Sequence, residues 1–165
     1  MRWRSEVRES DAAAVRRLVA DTAFFNEEEV DIAVELVEET LQRGEAAGYA
    51  FVFADDDTSA AGELLAYTCY GPIPATRSSY DLYWIAVAPS SQGQGLGAAI
   101  LRESERRARE AGATQMYVDT SGRDQYRPTR AFYERMGYER AAVLRDFFAP
   151  GDDKVVYVRR LSETA

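Results

Sequence analysis

Apolar residues recur in this chain with two different periods, and the changes of period mark its elements. Trp3, Ser5 and Val7 alternate with Arg2, Arg4, Glu6 and Arg8, the period-2 pattern of a short strand. The spacing then widens to three and four. Ala14, Val15, Leu18 and Val19 share one face of a helix that runs to about residue 21, with Ser10 or Asp11 placed to cap it. A second helix follows Asn26 and runs to about residue 43, with Val30, Ala33, Val34, Val37 and Leu41 as its apolar stripe. Glu27, Glu28 and Glu29 put negative charge at the positive end of its dipole.

Residues 49–54, 63–70 and 80–87 read as strands, the last ended by Pro89. Asp55, Asp56, Asp57, Thr58 and Ser59, then Gly62, form a turn between the first two, and its acids are expected to be solvated. Gly71-Pro72-Ile73-Pro74 opens a loop that ends near Ser79. A helix over residues 98–111 carries Arg102, Glu103, Arg106, Arg107, Arg109 and Glu110 on a solvated outer face, with Gly112 to cap it. A strand over residues 115–120, a helix over residues 128–136 closed by Gly137, and strands over residues 138–147 and 154–161 around Pro150-Gly151-Asp152-Asp153 complete the chain. The reading is one α+β domain over residues 1–165, without repeats or linkers.

Composition narrows the chemistry. The chain has 165 residues, 46% of them hydrophobic, enough for a core and against disorder. No apolar run reaches the roughly 18–20 residues of a membrane span, and the N-terminus lacks a signal-peptide core. Cys69 is the only cysteine, which excludes an internal disulfide and a cysteine zinc cluster. These features favour the cytoplasm. With no histidine, Ser-His-Asp and Cys-His catalysis and His-ligated metals are excluded. Acid–base work falls to Asp, Glu, Tyr, Cys69, Lys154 (the only lysine) or water. A formal net charge of −8 argues against nucleic-acid or anionic-membrane binding and suits a cationic substrate or simple solubility.

The stretch Gln92-Gly93-Gln94-Gly95-Leu96-Gly97 lies between a strand pattern and a helix pattern. Glycines at alternate positions clear Cβ atoms from one face of a turn, so a phosphate can approach backbone N–H groups. The helix that follows offers unpaired first-turn amides and a positive dipole end. No Lys follows, which excludes a P-loop, and G-x-G-x-G past mid-chain differs from a dinucleotide fingerprint.

With the element order, these residues resemble the GNAT superfamily of N-acetyltransferases. Gln92, Gly95 and Gly97 match its [Q/R]-x-x-G-x-[G/A] motif, and Ala86-Val87-Ala88-Pro89 matches the usual strand end. Phe132-Tyr133-Glu134-Arg135-Met136-Gly137-Tyr138 matches a second family segment on the fourth helix. Two positions depart from the pattern. Tyr126 stands where the family often has Asn, and Thr129 replaces the motif alanine.

The resemblance implies an α/β/α sandwich with a mixed, mostly antiparallel sheet of about seven strands and four helices. It implies acetyl transfer from acetyl-CoA, without a metal, to a primary amine that attacks directly; a single compact domain with no added recognition module leans toward a small molecule over a protein as the acceptor. Amides of Gln92, Gly93, Gln94, Gly95, Leu96, Gly97 and Ala98 would bind the pyrophosphate, and Ile85, Ala86 and Val87 would pair with the pantetheine like an added strand. Tyr126 would lie near that arm. Tyr133 matches the family's general acid, and proton transfer from a phenol of pKa about 10 to a thiolate of about 8.5 is uphill by about 2 kcal/mol. Asp81 matches the position of a catalytic glutamate in histone-acetylating members, with Tyr83 and Glu63 as weaker alternatives for the base. Deprotonation of a lysine-like ammonium by an ordinary Asp costs about 9 kcal/mol, so burial or a water relay must narrow that gap. Phe24, Phe25, Tyr70, Ile73, Tyr80, Phe147 and Phe148 fall in segments that build the family's acceptor pocket, while Cys69 reads as a buried strand residue. A non-catalytic acyl-CoA-binding module is the alternative reading. Family members are commonly homodimers, and the chain shows no unambiguous interface stripe.

Overall fold

The computed structural model describes residues 1–58, 60 and 62–161; Ser59 of the expected turn, Ala61 and residues 162–165 lie outside the described residues. The elements are β1 (Arg2–Arg4), α1 (Asp11–Asp21), α2 (Glu27–Arg43), β2 (Ala50–Asp55), β3 (Leu64–Pro72), β4 (Ser79–Val87), α3 (Leu96–Glu110), β5 (Gln115–Ser121), α4 (Arg127–Arg135), β6 (Glu139–Ala149) and β7 (Asp152–Arg160). The seven strands form one sheet in the order β1-β2-β3-β4-β5-β7-β6. Strands β4 and β5 are parallel; β1–β2, β2–β3, β5–β7 and β6–β7 are antiparallel. This is the mixed, mostly antiparallel sheet with four helices that the resemblance implies, with the elements in the order that the pattern predicts.

The chain forms two compact units, one of Met1–Gly71 with Trp84–Arg107, the other of Pro72–Tyr83 with the chain from Ala108 on. In the first, Val15, Leu18 and Val19 of α1 and Val30, Ala33 and Val37 of α2 pack with Phe51, Phe53, Tyr67 and Cys69 of β2 and β3. Helix α2 starts where the chain says it should: Asn26 accepts from the Glu29 amide at 2.8 Å and Glu29 reaches back to the Asn26 amide at 2.9 Å. This reciprocal cap contributes about 1 kcal/mol. In the second unit, Met116 and Val118 of β5, Val155 and Tyr157 of β7, Tyr133 of α4 and Met136, which caps that helix, are buried.

Some local readings are corrected. Ser10 makes no side-chain cap bond on α1. Asp11 instead grips Arg4 through two bonds of 2.8 and 2.9 Å, and Asp55 takes the same guanidinium at 2.9 and 3.1 Å. Asp55 is therefore buried, where the sequence suggests a solvated turn acid; Asp56 is partly buried and Asp57 is exposed. One arginine bridging two buried carboxylates ties β1, α1 and β2 together. Leu41 is 38% exposed at the end of the α2 stripe. The last turn is shorter than expected, because β6 runs to Ala149 and β7 begins at Asp152. Among the described residues no helix is long and apolar enough to cross a membrane.

Candidate active site

In the first unit the turn between β4 and α3 is built from backbone. Gly93 and Gly95 have φ of +73° and +81°, a region where an L side chain is strained, whereas Gly97 lies within α3. A Cβ on Gly93 or Gly95 would meet no protein atom within 4 Å, so conformation rather than crowding demands glycine, and the space beside the backbone is open. Two side chains tie the turn down. Gln92 Nε2 donates to the Val87 carbonyl at 3.1 Å and Gln94 Nε2 to the Ser90 carbonyl at 3.2 Å. The first α3 bond runs from the Ala99 amide to the Gly95 carbonyl at 3.0 Å, which leaves Leu96, Gly97 and Ala98 amides outside the i→i−4 ladder. Residues 92–95 are exposed, and no acidic residue stands in the first turn of α3. An anion of phosphate size fits this chemistry.

Strand β4 leads into the turn. Its parallel ladder with β5 runs from Ser79↔Gln115 to Leu82↔Val118, while β4 itself continues to Val87. Ile85 and Val87 are partly buried and Ala86 is buried; the Ala88 amide donates to the Leu65 carbonyl at 2.8 Å.

In the second unit, α4 carries Tyr133. Pro128 starts the helix, and Gly137 with φ +88° ends it, where the Tyr138 amide bonds the Tyr133 carbonyl at 3.0 Å. Arg130 anchors the helix to the end of β5 through the Ser121 and Arg123 carbonyls at 2.6 and 2.9 Å. Tyr133 is 3% exposed, with the rings of Phe132, Tyr138 and Tyr157 at 5.3, 5.5 and 6.3 Å. Burial alone pushes its phenol well up, so the group stays protonated and keeps an O–H able to donate. Tyr126 stands at the N-terminal end of α4, partly buried, with the Arg123 guanidinium 5.5 Å from its ring centroid.

Asp81 sits on β4 opposite Tyr117 of β5, partly buried. Burial is the main cause that raises its carboxyl above the usual range; Asp119 adds to this and Lys154 opposes it. Asp119 pairs with Lys154 at 3.1 Å. The sequence reading does not single out Asp119. The signal for it lies in strand alternation, since Tyr117 and Asp119 must share a face.

The aromatics proposed for an acceptor pocket separate. In the first unit, Phe24 and Phe25 stack edge-on at 5.0 Å, Phe25 meets Trp84 at 4.9 Å, and Tyr70 is buried in the strand core. In the second, Ile73 and Tyr80 are partly buried, and Phe147 and Phe148 are 55% and 52% exposed. Cys69 is fully buried and its thiol is pushed up by burial, unsuited to a nucleophile.

A family model described as the acetyltransferase (GNAT) family matches residues 12–138. A crystal structure from Desulfovibrio desulfuricans, described as an acetyltransferase of the GNAT family by inference, is 48% identical, covers 98% of this chain and 99% of its own, and has a TM-score of 0.92. More distant structures share the fold. They include an aminoglycoside 6'-N-acetyltransferase complexed with coenzyme A (16% identity, TM-score 0.77, 100% and 99% coverage). The ribosomal-protein-S18-alanine N-acetyltransferase of Escherichia coli is another (19% identity, TM-score 0.74, 99% and 96% coverage). No curated protein matches the chain. With its glycine turn, its seven-stranded sheet and a family match that spans most of its length, the chain belongs to the GNAT family of acetyltransferases.

Proposed function

We propose that this protein is a single-domain enzyme that moves an acetyl group from acetyl-CoA to a primary amine, on a small molecule. The observation that carries the reading is the exposed turn with Gly93 and Gly95 in the left-handed region directly before α3. Amides from Gln92 to Ala98 hold the pyrophosphate with fixed dipoles, at no cost in side-chain entropy. The β4 backbone at Ile85, Ala86 and Val87 pairs with the pantetheine arm, which is supported by the run of β4 past the last β5 pair at Leu82.

Asp81 takes the proton of the incoming ammonium, and its raised carboxyl narrows the gap that makes an ordinary Asp too weak a base. The amine lone pair forms the new C–N bond as the C–S bond breaks. Tyr133 donates a hydrogen bond to the departing sulfur, which leaves as thiolate and takes its proton from solvent. The upward shift of the phenol favours this donor role over complete proton transfer. The net negative charge suits a cationic acceptor.

The burial of Tyr133 and the presence of Tyr126 in place of Asn favour one competing reading, a non-catalytic acyl-CoA-binding module. The test is calorimetric titration with acetyl-CoA, followed by CoA release across a broad panel of amines. Binding with turnover of at least one amine supports the enzyme. Binding with no turnover supports the module, and no binding overturns both.

A further inference from the structure

We propose that Asp81, Asp119 and Lys154 act as one electrostatic unit, in which Lys154 is a positioning residue that governs how readily Asp81 accepts the proton of the amine. This rests on the acetyltransferase reading and extends it to Asp119 and Lys154.

The unit is fixed by strand register. The parallel ladder sets Asp81 of β4 opposite Tyr117 of β5, so Asp119, two residues on, rises on the same face. The antiparallel ladder of β5 with β7 sets Asp119 opposite Val156 and Ser121 opposite Lys154. Lys154 therefore reaches diagonally across the face, and its Nζ lies 3.1 Å from Asp119 Oδ2. The same ammonium sits 4.5 Å from the centroid of the Phe147 ring.

The ring is held there by an unusual backbone. Asp146 has φ +55°, accepts from the Gly151 amide at 2.7 Å, and donates its own amide to Asp153 at 2.9 Å. This lies within the break of β6–β7 register between Leu144 and Ala149. Phe147 shields one side of an ammonium that Asp119 holds on another, so the contact is preorganised rather than a chance meeting of surface chains. Lys154 is only 21% exposed.

The charged groups that act on Asp81 are Asp119 from β5 and Lys154 from β7. The Tyr117 phenol is its register partner, and Tyr83 follows on its own strand. Asp119 disfavours the Asp81 carboxylate and Lys154 favours it. In the reaction the ammonium N–H bond breaks, the proton goes to an Asp81 carboxylate oxygen, and the neutral amine keeps the electron pair with which it attacks. After product release the Asp81 carboxyl returns that proton to water.

The sign of each perturbation follows. Loss of Lys154 removes a favourable charge and frees Asp119 to repel, so Asp81 holds its proton to higher pH. Loss of Asp119 removes a repulsion and frees Lys154, so Asp81 ionises at lower pH. The experiment follows the Asp81 carboxyl by carbon-13 NMR titration of the free protein in wild type, Lys154→Met, Lys154→Arg and Asp119→Asn. It is paired with pH profiles of kcat/KM for any amine that is turned over. In Lys154→Met the titration and the acidic limb are expected to move up together by about 1 pH unit. In Asp119→Asn both move down, and Lys154→Arg restores the wild-type titration. An Asp81 titration that is identical in Lys154→Met and wild type overturns the proposal, as does an acidic limb that stays put while the titration moves. Absence of turnover with every amine would sink the transferase reading, while the titration of the free protein still decides whether the three groups act as one.

Discussion

Residues 92–95 lie exposed in a turn shaped by two positive φ angles, whereas Tyr133 lies 3% exposed among three aromatic rings. The turn offers backbone amides, whose strength depends on conformation and not on side-chain identity. Tyr133 offers one hydroxyl, whose strength depends on what surrounds it. A site of the first kind fails when the backbone cannot adopt its shape. A site of the second kind fails when one atom is removed, while the fold around it survives. In the proposed enzyme the first region binds and the second assists chemistry, so damage to each should separate binding from turnover.

Gly95→Trp tests the backbone half most severely. Strain of about 1–3 kcal/mol at a positive φ adds to a blocked approach, so acetyl-CoA binding should weaken by about 100-fold or more in calorimetry. Retention of wild-type affinity would show that this turn does not hold the cofactor. Tyr133→Phe tests the other half. Turnover should drop by about 100-fold through loss of the hydrogen-bond donor, while acetyl-CoA binds as in wild type. Equal turnover in the two proteins would remove Tyr133 from the chemistry, and a parallel loss of binding would make it a packing residue. Gln92→Ala has the smallest expected effect. It removes the tie to the Val87 carbonyl, worth about 1 kcal/mol, so affinity should weaken about fivefold with no change in kcat. A drop in kcat alone would mean that the turn also positions the reacting groups.

The legibility of these regions differs for the same reason. The turn depends on residues adjacent in the chain, and Gln92-Gly93-Gln94-Gly95 between a strand and a helix is visible without a structure. The α2 cap, Asn26 with Glu29, is local in the same sense. Tyr133 is legible as a motif position, but its burial, which raises its phenol, is decided by tertiary packing, with Tyr157 of β7 among the rings around it. Asp11 shows how a local rule is overridden. Its spacing suits a helix cap, yet Arg4, which Asp55 also holds, offers a charged, hydrogen-bonded partnership within the fold that outweighs a single capping bond.

By itself the sequence determined the element order, the capped start of α2, the backbone turn before α3, and the absence of histidine and thiol-pair chemistry. Those are properties of period, conformation and composition, which act over a few residues. Only the tertiary structure decided which charges share a face. Strand register sets Asp119 beside Lys154 and brings both to act on Asp81, groups separated by more than thirty residues along the chain. Register is selected by the burial of alternate residues in every strand at once, and a shift of one residue would turn each of these side chains to the opposite face.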